Sequence, residues 1–575
     1  MRTLLHIQNL TQRFFGPDQK PFAALDCIDC TIDRKHRHIM IVGPDGAGKS
    51  TLLQILMRLR EPTKGTFRWH PRVQSFGYLA QGFALYEDLS VWENCQTFAR
   101  LYGVPKAEQK TRIDNLLKLT GLAGFERRLA GRLSGGMKQK LGLIVSLLSS
   151  PDVVLLDEPT VGVDPLSSRE FAQILARRRR TQNLTTIIAT ANLYEAEDAD
   201  WVLFFHEGKL LRAGAPRALR NAIQNRTFYI ETPTSETTKK LFRALIFEVL
   251  DSEEKESLLL DVRPDHAGIA ILTKQETTRH AIARRARAHG IELHVRKRTV
   301  TMEDVYIIAT DRNQAQQEEL QAYAPQQHYT ITAQNIERRF GSFVAVANTN
   351  FTVRPGEIFG LLGPNGAGKT TTFRMLCGLL EPTHGDILFD ETSIRKAKAI
   401  LRSQIGYVAQ KFSLYDKLTV RQNFDYFANV YNVAPNEQKE RIDTLIRLFH
   451  LRHYRKERCA RLPMGAKREL SFAIALLHHP SILFLDRATS GADIRARRQF
   501  WRRIVTLAKA GVTIIVTTHF MDEAHYCDRF LIQDQGKILF LGTPNEIQKQ
   551  VPTPNPSMTE AFISIVQKNR RSSAS

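Results

Sequence analysis

Residues 43–51 read GPDGAGKST, and residues 363–371 read GPNGAGKTT. Each stretch follows a short apolar run, 39–42 or 358–362, and precedes a run with apolar residues at helical spacing. Glycines in this pattern let successive backbone N–H groups curl around a phosphate, and the N-terminus of the following helix adds partial positive charge. The two stretches therefore predict two phosphate-binding loops, each lying between a strand and a helix.

The sequence around these loops is duplicated. Residues 77–81 (GYLAQ) are echoed by residues 406–410 (GYVAQ), and residues 153–157 (VVLLD) by residues 482–486 (ILFLD). Matches that keep their order indicate two copies of one unit. Short β-branched runs in both copies alternate with helix-like stretches, which predicts an α/β fold with largely parallel, buried strands.

The two copies divide the chain into four predicted segments. The first copy covers residues 1–225, a small accessory domain covers 226–310, and the second copy covers 329–575. The accessory domain has its own strand-like runs and a basic helix-like stretch from Arg279 to Arg287. Residues 311–328 are rich in Gln and poor in large apolar residues, which is typical of a linker. Residues 302–307 (MEDVYI) resemble 558–563 (MTEAFI), so each repeat is expected to finish with a short docking helix.

Composition excludes several classes of protein. With 43% hydrophobic and 24% charged residues among 575, the chain is expected to be globular, with several domains of roughly 100–200 residues. No stretch approaches the ~18 apolar residues of a membrane-spanning helix, and the N-terminus lacks the pattern of a signal peptide. Six cysteines are too few for a disulfide framework. The net charge of +22 suits nucleic acid, an anionic membrane surface or phosphorylated ligands equally well.

The loops supply the candidate phosphate-binding residues. Lys49 and Lys369 are predicted to reach the β- and γ-phosphates of a nucleotide, while Ser50 and Thr370 offer hydroxyls to Mg²⁺. Asp157 and Asp486 end apolar strands and are predicted to be further Mg²⁺ ligands. Glu158 follows directly and is placed to orient or deprotonate an attacking water. The candidate nucleotide-binding residues of the loops are Gly43, Gly46, Gly48, Lys49, Ser50, Thr51, Gly363, Gly366, Gly368, Lys369, Thr370 and Thr371.

Other motifs resemble those of the ATP-binding cassette (ABC) ATPases. Residues 133–139 (LSGGMKQ) are similar to the family's signature motif, and residues 162–164 to its D-loop. The resemblance implies two ABC nucleotide-binding domains, ATP and Mg²⁺ as cofactors, and ATP contacts from Ser134, Gly135 and Gly136. It also implies that Gln81 and Gln410 act in catalysis and metal binding, as the Q-loop glutamines, and that His519 is the switch histidine. Phe15 and Phe340 match the aromatic residue that stacks on adenine, although core packing is an equal alternative for Phe15.

Within that family the chain resembles exporters. ATPases of the drug- and antibiotic-resistance group have three similar features. These are residues 89–94 (LSVWEN), the MEDVYI-type tail and the inserted domain, which is of a regulatory type. The resemblance implies an energy subunit that drives separately encoded transmembrane permease subunits from the cytoplasmic face of the inner membrane. The positive charge would then face an anionic membrane surface, with no nucleic acid expected. A tandem translation factor acting on ribosomes and a sugar-importer ATPase remain the alternatives.

Three positions depart from the family pattern. Pro463 replaces the signature serine of the second copy, Arg487 replaces its catalytic glutamate, and Ala191 replaces the switch histidine of the first copy. In the family, one cassette's phosphate loop faces the other's signature. The second site would therefore keep Ser134 but lack a base, and we expect it to hold ATP and hydrolyse it slowly. Pairing of first cassettes between two chains is the alternative arrangement.

Overall fold

The computed structural model describes residues 3–15, 21–82, 85–161, 163–231, 259–265, 268–288, 294–310, 325, 327–396, 403–410, 412–492, 494–518, 520–551 and 556–572. His519, Gly162 of the D-loop and most of the predicted linker lie outside the described residues. The chain divides into two compact units. The first comprises residues 1–224, 299–312 and 491–494, and the second comprises 225–298, 313–490 and 495–575.

Strands account for the core of both units. Those of the first unit are β1 (Thr3–Phe15), β2 (Pro21–Asp33), β3 (His38–Val42), β4 (Lys64–Trp69), β5 (Phe76–Leu79), β6 (Val153–Asp157), β7 (Thr185–Thr190), β8 (Trp201–His206) and β9 (Lys209–Gly214). Those of the second unit are β10 (Thr227–Glu231), β11 (Leu259–Asp265), β12 (Gly268–Thr273), β13 (His294–Lys297), β14 (Ile331–Phe340), β15 (Phe343–Val353), β16 (Ile358–Leu362), β17 (His384–Phe389), β18 (Thr392–Ser393), β19 (Ile405–Val408), β20 (Ile482–Asp486), β21 (Thr513–Thr517), β22 (Arg529–Asp534) and β23 (Lys537–Gly542).

The sheets repeat one topology. The order β5-β6-β7-β3-β8-β9 in the first unit matches β19-β20-β21-β16-β22-β23 in the second, and only the last strand of each sheet is antiparallel. A smaller antiparallel sheet accompanies each, β2-β1-β4 or β15-β14-β17-β18. Strands β6 and β20 are buried along their whole length, as expected for parallel strands covered on both faces. The predicted α/β fold with two copies is confirmed.

Helices connect and cover these sheets. They are α1 (Lys49–Leu56), α2 (Val91–Leu101), α3 (Lys106–Thr120), α4 (Gly135–Leu147), α5 (Pro165–Gln182), α6 (Pro216–Asn221), α7 (Arg279–Ala288), α8 (Met302–Ala309), α9 (Lys369–Leu376), α10 (Val420–Val430), α11 (Pro435–Leu448), α12 (Met464–Leu476), α13 (Ile494–Lys509), α14 (Pro544–Lys549) and α15 (Met558–Ser572). No helix in the described ranges has the length and apolar character needed to span a membrane.

The two helices predicted from the MEDVYI-type tails are α8 and α15. Helix α8 starts with a capping box in which the Thr301 N–H donates to Asp304, and its Tyr306 hydroxyl donates to the Phe205 carbonyl at 3.2 Å. In the second unit, Arg570 of α15 pairs with Asp534 at 2.9 Å. Each helix thus docks on the unit whose sequence repeat it closes.

The accessory domain packs in the second unit, although the sequence places it after the first copy. Its strands form the antiparallel sheet β11-β12-β10-β13. Phe228 and Ile271 of this sheet belong to the same hydrophobic core as Trp501 of α13. Asp261 on β11 is 5% exposed and pairs with Arg498 at 3.4 Å and Arg502 at 3.3 Å, so a buried ionic cluster joins the sheet to α13.

This ionic cluster should contribute measurably to stability. Asp261→Ala removes a carboxylate that pairs with two largely buried guanidinium groups, and we expect it to lower the free energy of unfolding by about 3 kcal/mol. Chemical denaturation of the full chain measures the loss. Glu231→Ala is the matched control, because Glu231 pairs with Arg296 at the surface and should cost well under about 1 kcal/mol. Equal losses in both variants would contradict the assignment.

Candidate functional site

The first phosphate loop is held closed by a lysine. Gly48 has a φ of 97°, and a Cβ there would lie 2.2 Å from the Ala24 carbonyl oxygen, so only glycine fits. Lys49, the first residue of α1, is 5% exposed. Its ammonium donates to the carbonyls of Gly43 at 2.7 Å and Pro44 at 2.9 Å, which places a buried positive charge at the mouth of the loop.

Glu158 meets this charge from the neighbouring strand. Its Oε1 lies 2.9 Å from the Lys49 Nζ, and its Oε2 accepts the Ala191 N–H at 3.2 Å. The residue follows β6 in a left-handed conformation with φ 50°. Burial raises the pKa of the Glu158 carboxyl, and the Lys49 charge opposes that rise. A carboxylate whose pKa is raised is a better proton acceptor than an ordinary glutamate.

Asp157 offers an oxygen to a cation. It is buried at the end of β6, and burial raises the pKa of its carboxyl while a hydrogen bond from Ser50 lowers it. Across the part of the chain that the structure describes, its Oδ1 has no hydrogen-bond partner. A hydroxyl and an orphaned carboxylate oxygen beside a phosphate loop are the oxygen ligands that Mg²⁺ prefers, so these residues fit the ion.

The second copy keeps the loop and reverses the charge beside it. The Lys369 ammonium donates to the carbonyls of Gly363 and Pro364, both at 2.6 Å. Arg487 has a φ of 48°, within a few degrees of Glu158, and its guanidinium donates to Asn365 of the loop at 2.9 Å. Asp486 accepts a hydrogen bond from the Thr517 hydroxyl at 2.6 Å. The guanidinium of Arg487 therefore stands in the second copy where the first copy has the carboxylate of Glu158.

The Q-loop glutamines and the two candidate adenine-stacking residues are exposed. Gln81 and Gln410 are exposed just beyond β5 and β19, the strands next to β6 and β20. Phe15 is 77% exposed, so the core-packing interpretation of this residue is wrong; Phe14 packs instead, on Phe22. Phe340 is 49% exposed beneath the Arg338 guanidinium.

The two signature segments differ at the start of their helices. Ser134 is the exposed N-cap of α4, and its hydroxyl accepts the Met137 N–H at 3.4 Å. Pro463 takes the equivalent place at α12 and has no side-chain hydrogen bond. Gly135 and Gly136 open α4, so this helix presents backbone N–H groups that can bind a phosphate.

A carboxylate that the sequence motifs did not reveal lies behind each site. Glu195 accepts hydrogen bonds from Thr160 at 2.5 Å and Asn192 at 3.4 Å. Its counterpart Glu523 accepts them from Thr489 at 3.1 Å and Thr518 at 2.5 Å. The repetition of Glu-Ala at 195–196 and 523–524 was the available signal, but it carries no indication of these contacts.

The charges around Glu195 and Glu523 differ. Burial, together with the nearby Glu158 charge, raises the pKa of partly buried Glu195 to about 7. Burial also raises the pKa of Glu523, but the Arg497 guanidinium opposes the rise. Ser168 stands at the position of Arg497 in the first copy. The charged group near the carboxylate is thus a cation, Arg497, in the second copy and an anion, Glu158, in the first.

Comparison with known proteins points the same way as this geometry. The family model described as "ABC transporter" matches residues 25–161 and 346–490. The chain is 39% identical to "Probable multidrug ABC transporter ATP-binding protein YbhF" of Escherichia coli K12, over 98% of both chains. Over 218 residues, 38% of this chain, it is 37% identical to "Nod factor export ATP-binding protein I" of Burkholderia lata and 34% identical to "Linearmycin resistance ATP-binding protein LnrL" of Bacillus subtilis. These matches cover 72% and 70% of those two proteins.

The titration of Glu195 should make stability depend on pH. Its pKa of about 7 in the folded chain exceeds the ordinary 4.5, so the folded state binds this proton more tightly. Stability should therefore fall by on the order of 2 kcal/mol as pH rises from about 5 to 7.5. Glu195→Gln cannot ionise and should lose that slope in thermal midpoints measured from pH 5.5 to 8.

A matched variant in the second copy separates the two carboxylates. Glu523→Gln removes a carboxylate whose charge interacts with Arg497, a residue that is 6% exposed, and should lower the thermal midpoint at every pH. If the wild-type chain and Glu195→Gln have the same pH slope, Glu195 is not the titrating group.

Proposed function

This chain belongs to the ABC transporter family of ATP-binding proteins, and we propose that it is the ATP-hydrolysing energy subunit of an exporter. The names of its relatives refer to multidrug transport, Nod factor export and linearmycin resistance, which favours export over the sugar-importer and ribosomal alternatives. The observation that carries the proposal is the buried pair of Lys49 and Glu158 at 2.9 Å beside Asp157. It brings a phosphate-binding lysine and a proton acceptor together from two separate segments of the chain.

The nucleotide would be held mainly by backbone groups and lysines. The N–H groups of residues 46–51 and 366–371 receive the phosphates, with Lys49 and Lys369 as the counter-charges. Phe15 and Phe340 expose ring surface that suits stacking on adenine. Ser50, Asp157 and Gln81 would hold Mg²⁺ in the first copy, and Thr370, Asp486 and Gln410 in the second. The bound ion neutralises negative charge on the phosphates.

Glu158 is assigned as the base of the first copy. When Lys49 turns to the phosphates, Glu158 loses an ion-pair partner and can accept a proton from the attacking water. The Ala191 N–H still holds its Oε2, so the carboxylate keeps its direction. Help from a general base is worth typically about 10²–10⁴ in rate.

The second copy is assigned to ATP binding with slow hydrolysis. Arg487 stays protonated and cannot act as a base, but it can attract a γ-phosphate. Its hydrogen bond to Asn365 keeps the guanidinium at the phosphate loop. His519 belongs to the same proposed site as the switch histidine. Pro463 supplies neither a hydroxyl nor an N–H, so the second signature is the weaker partner for phosphate.

Exposed aromatic side chains offer a docking surface for the permease subunits. Tyr86 and Tyr102 flank α2. In the second copy Tyr415 takes the place of Tyr86 before α10, and Tyr426 lies within that helix. They are between 40% and 51% exposed, and the Tyr415 and Tyr426 rings are 4.6 Å apart. Apolar surface repeated a few residues after each Q-loop glutamine suits a protein partner.

This docking would place the chain peripherally at the cytoplasmic face of the inner membrane. Residues 177–180, four arginines near the end of α5, suit an anionic membrane surface. Nucleic acid is not part of the proposal.

Single-turnover hydrolysis tests the assignment of the base. Glu158→Gln removes the proton acceptor and keeps the shape, so the rate of phosphate release from Mg-ATP should fall by roughly 10²-fold or more. Arg487→Glu is the complementary variant. It places a carboxylate on a backbone already shaped like that of Glu158 and should raise hydrolysis. Undiminished release by Glu158→Gln would show that Glu158 is not the base.

Copurification tests the partner. The tagged chain, extracted from membranes in mild detergent, should retain the membrane proteins encoded by neighbouring reading frames. Glu substitutions at Tyr86 and Tyr415 should reduce that retention several-fold, because a desolvated charge disfavours the interface. Leu59→Glu, an exposed apolar residue outside the patch, is the control and should retain them. Copurification with ribosomes instead would contradict the exporter assignment.

A further inference from the structure

Glu195 closes a ring of hydrogen bonds around the proposed base of the first copy. It accepts from the Thr160 hydroxyl, and Thr160 follows Glu158 by two residues in the turn after β6. It also accepts from Asn192, whose neighbour Ala191 donates its N–H to Glu158. The carboxylate of Glu158 and the turn that carries it are therefore both tied to Glu195.

The surroundings of Glu195 leave its charge uncompensated. The side chains that face it are the hydroxyls of Thr160 and Thr190, the amide of Asn192 and the carboxylate of Glu158. Glu158 itself pairs with Lys49, which is thus unavailable to Glu195. In the described ranges no ion pair reaches Glu195. The charged group in reach of Glu195 is an anion, so the neutral form of Glu195 is the one that suits Glu158.

The second copy contains the same hydrogen-bonded arrangement with a different charge. Glu523 accepts hydrogen bonds from Thr489 and Thr518, and Glu195 accepts them from Thr160, the counterpart of Thr489, and from Asn192. Arg497, a neighbour of Glu523, also lies over the Phe520 ring at 4.5 Å. The Arg497 charge acts on this carboxylate, and the position of the proposed base is taken in this copy by Arg487, which is not a base. The second copy is therefore an internal control for any role of Glu195 in hydrolysis.

We propose that Glu195 is the positioning residue of the first copy, and that it directs Glu158 by tying the turn after β6 to the segment around Ala191. That segment carries no histidine in this copy, so its hold on Glu158 is a single backbone N–H. Glu195 fixes where that N–H lies. The inference rests on the proposed function, because it acts through Glu158 as the base.

The proposal predicts a distinct effect of charge. Neutral Glu195 keeps the hydrogen-bonded ring without adding a charge near Glu158. Ionised Glu195 adds a second negative charge beside the base and near the place of the γ-phosphate, which disfavours both hydrolysis and phosphate approach. Hydrolysis by the wild-type chain should therefore decline as pH rises through the range in which Glu195 ionises. Gln has the shape and neutrality of the protonated acid and should not show the decline.

The experiment compares variants of the full chain in single-turnover hydrolysis of Mg-ATP between pH 6 and 9. Glu195→Ala should lower kcat by roughly 10-fold or more with KM for ATP little changed, because the base is misdirected while the phosphate loop is intact. Glu195→Gln should retain a kcat within about 3-fold of the wild-type value and give a flatter pH profile. Glu523→Gln should leave the shape of the pH profile unchanged.

Three results would overturn the proposal. They are an unchanged kcat in Glu195→Ala, an equal loss in Glu195→Ala and Glu195→Gln, and a pH profile of Glu195→Gln that superimposes on the wild type. Thermal midpoints identify any variant that fails to fold, and Glu195→Gln, which keeps the volume, then carries the test. The Glu158→Gln variant, measured in parallel, separates the proposed function from the role of Glu195. Undiminished hydrolysis by Glu158→Gln would show that Glu158 is not the base. Slow hydrolysis by Glu158→Gln together with normal hydrolysis by Glu195→Ala would reject only the role of Glu195.

Discussion

The parallel order of the strands determines where a functional side chain can lie in either unit. In the first unit β3 leads into the phosphate loop and lies next to β7, which lies next to β6. In the second unit β16, β21 and β20 are neighbours in the same order. Parallel neighbours end at the same edge, so the segments that follow them meet there. Lys49, Glu158 and Ala191 come from three different parts of the sequence, yet they form one cluster of contacts. The rest of the site depends on this shared edge.

What could be predicted from the sequence was local. The phosphate loops, Asp157 and Glu158 were predictable because each is defined by a short run whose spacing reflects its own backbone conformation. The hydrogen bond from Thr160 to Glu195 was not predictable, because the two residues are 35 positions apart and threonine and glutamate are common residues. The packing of the accessory domain in the second unit was likewise not predictable from the sequence. Its buried Asp261 contacts Arg502, 241 positions later, and no local pattern tells which unit a domain will join.

The two copies share a backbone and differ in the sign of their charges. Where the first copy sets a glutamate against Lys49, the second sets Arg487 against Asn365. Where the first copy has the Glu158 charge near Glu195, the second has the Arg497 charge near Glu523. Side chains can be exchanged in this way because hydrogen bonds of the main chain, such as Glu158 N–H to Ala189 and Arg487 N–H to Thr517, keep the turn in shape. The side chains of the two turns have therefore diverged, while the backbone of the turns has the same conformation.

The left-handed turn after β20 bears on how the second copy has evolved. A residue other than glycine or asparagine in this conformation costs on the order of 1 kcal/mol. A site that had merely decayed would be free to drift to a residue that relieves the strain. Arg487 does not relieve it, and its guanidinium is committed to the phosphate loop. The second copy has therefore kept both the left-handed turn of the first copy and a side-chain contact from that turn, although the side chain now carries the opposite charge.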